Sequence, residues 1–461
     1  MFILLCMVFT WMMTARAQLT GWQYASVIEI TEQQGNAYTD YQLLLTINTA
    51  DLVANGMMQA NGGDLRFALD CEGMTLIPFF IDTANSTLPG NTFPGSATKI
   101  WVRIPQILPF NVTKIYLFSG NSSAVSLNDF TSTFPNSLII PTATSTTLFG
   151  TLDYDWFEVE AGATVNLLAG TPLVINSDKI KIDGIINGSG AGFAGGLSGG
   201  LNGSGPGGGV GSPSAGDGAG GGAYHGNGGN GGFNSLLFTG GSSYGSLFSV
   251  TINMGSGGGG GIDSTGGNGG GAVTFSGGDV EISGDINMSG ANGRIDTASL
   301  QGTGGGAGGG ILITGRFINY SGNTSVAGGD GGSDPSLNPA VGGGGGGGGG
   351  RVKAFYYNSG NVTAAIDVSG GTGGCCGAAA SQNGQPGATW QEKLDDIYSI
   401  TVNPMIFRQS PIVSGEDSAC VGSSELYTAS VVAGNTYLWT VTGGNVVSGQ
   451  STNSAEVNWI A

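Results

Sequence analysis

The chain has 461 residues, of which 39% are hydrophobic and only 10% are charged, and glycine alone contributes 91 residues. The hydrophobic fraction suffices for packed cores, which excludes a chain that is disordered throughout. With 31 acidic residues against 13 Lys and Arg, the formal net charge of −18 repels phosphate backbones and argues against nucleic acid as a partner.

The first 17 residues have the pattern of an export signal. Residues 1–13 are almost wholly apolar, and Thr14-Ala15-Arg16-Ala17 supplies a small-residue cleavage motif before Gln18. The alternative is an N-terminal membrane anchor, although the apolar run is short for a span. We predict a signal peptide over residues 1–17 and a mature protein that is extracellular or at the cell surface, with no membrane span after cleavage.

Residues 18–150 alternate apolar and polar side chains in the way that is typical of β-strands. Turn-forming clusters separate short runs, and no apolar period of 3.6 residues indicates a helix. The clearest runs are 26–30, 41–47, 65–69, 99–104 and 114–118. Several short strands separated by turns predict a β-sandwich.

The same stretch carries an ordered series of motifs. They are Trp22-x-Tyr24, Tyr38-x-Asp40-Tyr41-Gln42, Gly63-Asp64-Leu65-Arg66-Phe67, Ile100-Trp101-Val102-Arg103-Ile104-Pro105 and Ile115-Tyr116-Leu117-Phe118-Ser119-Gly120-Asn121. In order and spacing this series resembles domain of unknown function 2341, a module of bacterial surface proteins. It departs from the family pattern at Phe118-Ser119, where two aromatic residues are expected. The resemblance implies a lectin-like sandwich and supplies no catalytic residue.

Residues 151–395 change to a glycine-rich repeat. Glycine tracts that end at Gly271, Gly310 and Gly350 each lead into a β-type run, at spacings of 39 and 40 residues. A fixed period of this size indicates stacked repeats that share one core. We predict a glycine-rich β-solenoid whose loops are either disordered or packed as polyproline-II-like strands. The alternative is a disordered glycine-rich linker with embedded hairpins.

The glycine tracts also contain motifs that mimic ligand-binding loops. Gly-x-Gly-x-x-Gly recurs, but no strand-then-helix context and no phosphate-loop lysine accompany it. Residues 328–334 weakly match a calcium-binding nonapeptide, without the tandem repetition that such sites require. We therefore predict no cofactor and no bound metal.

Residues 405–461 are predicted to begin a third module. The run Tyr437-Leu438-Trp439-Thr440-Val441 places alternate side chains on the inner face of one strand. With the Gly443-Gly444 pair that follows, it is similar to polycystic-kidney-disease-like Ig modules of Bacteroidetes-type surface proteins. The resemblance implies an Ig-like sandwich, which the chain enters but does not complete.

No catalytic constellation is evident in the sequence. The single histidine, His225, lies in a glycine-rich loop without an adjacent carboxylate and nucleophile. One histidine and the available cysteines do not make up a zinc ligand set. Cys375 and Cys376 are adjacent between glycines, where they form a strained bridge with each other, stay as two free thiols, or bridge to Cys71 or Cys420.

Four residues are candidate ligand contacts. Asp64 and Arg66 share the strand face opposite Leu65 and Phe67, where they form either a cross-strand ion pair or a sugar-binding polar pair. Trp101 and Arg103 share a face of the next strand motif, where Trp101 either stacks on a sugar ring or lies in the sandwich core.

These observations predict a secreted, non-catalytic structural or adhesive protein of the cell surface, which binds an extracellular glycan or a surface protein. The alternative is a polysaccharide-degrading enzyme or its binding subunit, because glycoside hydrolysis needs only two carboxylates.

Overall fold

The computed structural model describes residues 19, 21–82, 93–296, 298–334, 338–408, 413–416, 419–429 and 437–460. The predicted signal peptide lies outside these residues. Regular structure in the described part is nearly all β, in several sheets, which confirms the predicted all-β class. None of its helices is long and apolar enough to cross a membrane.

Two antiparallel sheets form the first unit, which we call the antiparallel unit. Its N-terminal elements are β1 (Tyr24–Glu32), β2 (Tyr38–Ile47), α1 (Thr49–Ala54), β3 (Arg66–Ala68), β4 (Leu76–Ile77), β5 (Phe79–Ile81), β6 (Thr98–Ile107), β7 (Val112–Ser119) and α2 (Phe130–Thr133). One sheet has the order β1-β7-β3-β4 and the other β2-β6-β5.

The alternation of side chains explains how these two sheets pack. Ile28 of β1 and Leu43 and Val102 of the second sheet are fully buried in one shared core. Because successive side chains of a strand point to opposite faces, Leu44 and Trp101 lie on the other face of the second sheet, in a separate apolar cluster. The second sheet is therefore apolar on both faces and must be covered on both.

Two parallel sheets form the second unit, which we call the parallel unit. Its strands are β8 (Ser137–Ile140), β9 (Ser145–Leu148), β10 (Gly150–Val159), β11 (Thr164–Leu167), β12 (Leu173–Ile182), β13 (Ile185–Asn187), β14 (Ala272–Ile282), β15 (Asp285–Asn287), β16 (Ile295–Asp296), β17 (Gln301–Gly302), β18 (Gly310–Tyr320), β19 (Thr324–Ser325), β20 (Arg351–Val362), β21 (Ile366–Asp367) and β22 (Ala388–Lys393). The seven-stranded sheet has the order β8-β10-β12-β14-β18-β20-β22, and the six-stranded sheet β9-β11-β13-β15-β19-β21. β16 and β17 form a separate two-stranded antiparallel ladder. The predicted boundary at residue 150 falls inside this unit, because β8 pairs with β10 and β9 with β11.

The two parallel sheets enclose a core of stacked apolar columns. Ile175, Phe275, Ile313 and Ala354 occupy paired positions on successive strands of the seven-stranded sheet, and all are buried. The pairing aligns Gly310 with Ala272 and with Arg351, one residue away from the alignment that the glycine tracts suggested. Each strand buries its apolar side chains against those of neighbouring strands, so a single repeat would not fold alone.

The glycine-rich segments between these strands are packed against one another and are not disordered loops. Their backbones hydrogen-bond between segments that are remote in sequence, such as Gly304 N to Gly259 O at 2.9 Å and Gly259 N to Gly220 O at 2.8 Å. A Cβ atom on Gly304 would lie 1.9 Å from Gly220 O. Only glycine permits such close backbone approach, which explains the composition of the segments.

The chain returns to the antiparallel unit after the last parallel strand. β23 (Tyr398–Val402) and β24 (Ile406–Phe407) both pair antiparallel with β1. The predicted boundaries left residues 396–404 unassigned and placed residues 406–407 in the third module, whereas this pairing joins both strands to the first sheet.

A separate antiparallel sheet lies at the C-terminal end. It comprises β25 (Val413–Ser414), β26 (Ser424–Ala429), β27 (Gly444–Ser448) and β28 (Ser454–Trp459), in the order β25-β26-β28-β27. The strand predicted over residues 437–441 is not formed. Instead, Trp439 donates from its backbone N to Gln450 Oε1 at 2.9 Å and from its ring Nε1 to Thr452 O at 2.8 Å.

Candidate functional site

An aromatic cluster joins the antiparallel unit to the parallel unit. The outer face of the β2-β6-β5 sheet lies on the outer face of the seven-stranded sheet. Phe134 lies between Trp101 of β6 and Trp156 of β10, with ring centroids 5.4 and 5.0 Å away. Phe80 and Phe130 complete the cluster edge-on to Trp156. Burial of these large rings fixes the two units against each other.

A buried ionic cluster lies beside the aromatic one. Lys179 Nζ contacts Asp279 Oδ2 at 2.6 Å and Glu281 Oε2 at 3.0 Å. Lys99, on the antiparallel unit, reaches the same two carboxylates at 2.9 and 2.5 Å. Burial lowers the pKa of Lys179, but the neighbouring carboxylates outweigh burial and raise it above the ordinary value. Burial raises the pKa of the adjacent Asp82 carboxyl.

A third contact lies where the chain leaves the parallel unit and returns to the antiparallel unit. Arg316 of β18 donates from Nε to Asp396 Oδ1 at 2.9 Å and from Nη2 to Asp396 Oδ2 at 3.1 Å, a bidentate pair. The same guanidinium lies over the ring of Tyr398, 4.2 Å from its centroid. Burial raises the pKa of Asp396, but Arg316, together with hydrogen bonds from Asn358 and the Ile397 backbone, outweighs burial, so the pKa is lowered.

Where the two units diverge they leave a cleft of about 450 Å³, which we call the inter-unit cleft. Its floor is the outer face of the seven-stranded sheet, and its wall is formed by the β1–β2 turn and the start of β2. It is lined by Gln34, Asn36, Tyr38, Tyr41, Asp153, Tyr154, Asn176, Ser177, Asp178, Ser276, Gly277, Gly278, Thr314, Tyr357 and Ile397. Four tyrosines and a set of amide, hydroxyl and carboxyl groups thus converge on one concave surface.

The carboxyl group of Asp178 at this cleft is strongly perturbed. Burial, reinforced by the nearby Asp155 carboxylate, raises the pKa of Asp178 to about 8, although a hydrogen bond from the Gln42 backbone amide opposes this. Burial also raises the pKa of Asp155, against the lowering effect of Arg103. Asp178 is therefore largely protonated at neutral pH and can donate a hydrogen bond.

This perturbation predicts a pH-dependent stability. The folded state binds the Asp178 proton more tightly than the unfolded state, whose carboxyl titrates near 3.8. The resulting stability is fully present below about pH 4 and is lost as the pH rises through about 8. We expect the free energy of unfolding, measured in urea, to fall between pH 5 and pH 9, and Asp178→Asn to flatten that fall. An unchanged slope in the variant would contradict this assignment.

The predicted pair Asp64 and Arg66 is structural in its contacts. Asp64 is buried and accepts hydrogen bonds from the backbone amides of Gln59, Gly120 and Asn121 at 2.9, 2.7 and 3.2 Å. Arg66, also buried, donates to the carbonyls of Gly63, Leu65 and Val125 at 3.0, 2.6 and 2.6 Å. In the described structure the two side chains form no ion pair with each other; each fixes a turn of the backbone instead.

The other predicted pair, Trp101 and Arg103, lies between the units. Trp101 is fully buried in the aromatic cluster, and its Nε1 lies 3.5 Å from Asp82 Oδ2. Arg103 forms a bidentate pair with Asp40 and donates from Nη1 to Ser132 O at 3.2 Å. Neither residue lines the inter-unit cleft, and they lie on a different sheet from Arg66, whereas Asp64 lies in the turn before β3. The four predicted residues are therefore not brought together.

The residues of the inter-unit cleft were missed because they come from segments far apart in sequence. Tyr38 and Tyr41 enter the sequence analysis only as part of a family motif, and no sequence pattern singles out Asn176 or Asp178. The usable signal is in the strand Leu173–Ile182, where four consecutive polar residues, 176–179, separate two apolar stretches. Such an interruption marks a strand whose outer face is covered.

His225 and the cysteines have other partners. His225 Nδ1 accepts a hydrogen bond from Arg351 Nε at 2.9 Å, and burial lowers the pKa of the imidazole. Among the described residues, no three of His, Cys, Asp and Glu are arranged to hold a metal ion. Cys375 and Cys376 are bonded to each other, while Cys71 and Cys420 are free and exposed.

No protein-family model, curated protein or solved structure matches this chain. The class is therefore defined by the structure itself: an all-β protein with antiparallel and parallel sheets, and a polar, tyrosine-lined cleft between them.

Proposed function

We propose that this chain is an exported, non-catalytic protein of the cell surface that binds a glycan in the inter-unit cleft. The observation that carries the proposal is the convergence there of Tyr38, Tyr41, Tyr154 and Tyr357 with amide and hydroxyl side chains. Sugar rings present apolar C–H faces and a rim of hydroxyls, and such a lining offers partners for both.

The architecture supports a structural role beside binding. The alternation of strands between two parallel sheets fits the predicted glycine-rich β-solenoid, and the antiparallel unit fits a lectin-like sandwich of the domain of unknown function 2341 type. The C-terminal sheet is our candidate for the Ig-like module. An elongated repeat packed through glycine backbones would hold the cleft on a rigid support, as adhesion requires.

A second candidate function is polysaccharide cleavage. It is favoured by the raised pKa of Asp178 at a cleft that also holds the carboxylate of Asp153. A protonated carboxyl and an ionised one are the pair that glycoside hydrolysis uses. The test is whether the chain releases reducing ends from a polysaccharide that it binds. If it does, and if Asp178→Asn abolishes that release, the function is cleavage and not binding alone.

The binding proposal is tested by Tyr357→Ala in the mature chain. Tyr357 lines the cleft and is not part of the apolar cores, so its loss removes ligand contact without opening a core. We expect affinity for the glycans retained on a glycan array, measured by calorimetry, to fall about tenfold, the effect of about 1.4 kcal/mol. Tyr116→Ala, at a half-buried tyrosine of β7 outside the cleft, is the control and should bind as the parent does. Equal affinity in all three proteins would refute the proposal.

A further inference from the structure

The floor of the inter-unit cleft is a row of polar side chains. Asp153, Asn176, Ser276 and Thr314 occupy paired positions on β10, β12, β14 and β18. They point outward, because their neighbours Ile175, Phe275 and Ile313 are buried in the core between the parallel sheets. Neighbouring strands lie about 4.8 Å apart, so the row extends about 14 Å across the sheet.

The row is already ordered before any ligand arrives. Asn176 Nδ2 donates to Asp153 Oδ1 at 2.8 Å, and Thr314 Oγ1 lies 3.4 Å from Phe275 O. The backbone beneath is a regular parallel ladder, so the side chains hold a fixed spacing. A preorganised row loses little conformational entropy on binding a chain that runs along it.

The charge of the cleft restricts what the chain can be. Among the described residues that line it, none is Lys, Arg or His, and two are aspartates. Arg103 and Arg316, two guanidinium groups at the junction of the units, are engaged in bidentate pairs with Asp40 and Asp396. A uronic acid or a sulfated sugar would therefore bring its anion towards an acidic lining without a partnering cation.

Asp178 lies beside this row, and its surroundings suit a neutral ligand. The groups that act on its carboxyl are Asp155 of β10, Tyr41 of β2 with Tyr398 of β23 behind it, and the Gln42 backbone amide. None of these groups is cationic. With its proton retained, Asp178 adds a donor for a sugar hydroxyl without adding a charge.

We infer that the inter-unit cleft selects an uncharged linear glycan laid across the strands of the seven-stranded sheet, with Asp153, Asn176, Ser276 and Thr314 as its floor and Asp178 as a hydrogen-bond donor beside it. This inference rests on the proposed function and adds the ligand class and its direction. It makes Asn176 and Asp178 specificity-determining residues.

The test compares two panels of oligosaccharides of equal length by calorimetry with the mature full chain. The neutral panel contains glucan, xylan, mannan and galactan oligosaccharides, and the acidic panel contains polygalacturonate and alginate oligosaccharides. We expect at least one neutral probe to bind and no acidic probe to bind. Asn176→Ala should weaken that binding about tenfold or more.

The matched control is Asn187→Ala on the six-stranded sheet. Asn187 Nδ2 donates to Asn166 Oδ1 of the neighbouring strand at 3.1 Å, a contact of the same kind as that of Asn176 but outside the cleft. It should leave affinity unchanged. Asp178→Asn, which keeps a neutral donor, should bind equally at pH 6 and pH 9, whereas the parent should lose affinity over that range.

The outcomes separate the two proposals. If acidic probes bind and Tyr357→Ala weakens their binding, the inference of a neutral ligand is wrong, but the proposal that the cleft binds a glycan stands. If neutral probes bind and Asn176→Ala does not weaken their binding, the glycan does not lie across the strands as inferred. If no probe of either panel binds and the array is empty, the proposed function fails, and the inference fails with it.

Discussion

Gly345→Ala is expected to destabilise the packed glycine-rich segments by about 3 kcal/mol or more. Among core substitutions, those that force a new atom against rigid backbone are the most destabilising. The added Cβ atom would lie 1.9 Å from Gly229 O, 2.6 Å from Gly229 C and 2.9 Å from Gly221 N. All three are backbone atoms, so no side-chain rotation can relieve the contact.

The surrounding hydrogen bonds prevent a local shift. Gly345 N donates to Ala219 O at 2.8 Å and Gly345 O accepts from Gly305 N at 3.0 Å, while Gly229 N donates to Gly346 O at 2.8 Å. Moving one segment away would break bonds to two others. Denaturant unfolding of the mature chain measures the loss.

Gly170→Ala is the control for this substitution. Gly170 has a φ of +76° but open space around the position of a Cβ atom, so only left-handed backbone strain of about 1 kcal/mol is expected. If Gly345→Ala cost no more than Gly170→Ala, the segments would not be packed as closely as their backbone contacts require.

Strand positions and their inner faces could be predicted from the sequence, because alternation is a local property. The runs around Ile28, Leu43 and Val102 become strands whose apolar faces meet in one core, as the pattern indicated. The all-β class followed from the same pattern. The run at residues 437–441 also shows alternation, yet it forms no strand, because the Trp439 backbone bonds the side chain of Gln450 and not a neighbouring strand.

The inter-unit contacts could not be predicted, because they depend on which outer faces meet. Trp101 shares its strand face with the charged Lys99 and Arg103, so the sequence leaves open which face is inside, and the structure buries Trp101 fully. Lys179 carries a charge and is fully buried as well. The return of β23 to β1 joins residues separated by the whole parallel unit. Nothing in the composition of Tyr398–Val402 indicates so remote a partner.

Lys179→Met is expected to cost about 3–5 kcal/mol of unfolding free energy, the effect of removing one partner from a buried ionic cluster. Lys179 is fully buried, and it contacts both Asp279 and Glu281 within 3.0 Å. Methionine preserves much of the side-chain volume, so the expected loss is electrostatic and not a cavity effect. Of the cations in the described part of the chain, the two carboxylates would retain Lys99 alone, with Asp82 also nearby.

The electrostatic origin is tested by neutralising a partner. Combining Lys179→Met with Asp279→Asn removes a cation and an anion together, so the double variant should be more stable than Lys179→Met alone. Lys114→Met is the control, because Lys114 and Glu29 form an exposed, solvent-screened pair at 2.9 Å whose loss should change the stability far less than Lys179→Met does.

The pH dependence of Lys179→Met distinguishes charge from packing. Asp279 is ionised in the parent because, although burial raises its pKa, Lys179 and Lys99 lower it below the ordinary value. Without Lys179 the Asp279 carboxyl would take up a proton more readily, which removes the uncompensated charge. The deficit of Lys179→Met relative to the parent should therefore shrink as the pH falls towards 5. A deficit of the same size at pH 5 and pH 8 would show that Lys179 stabilises the junction of the two units by packing alone.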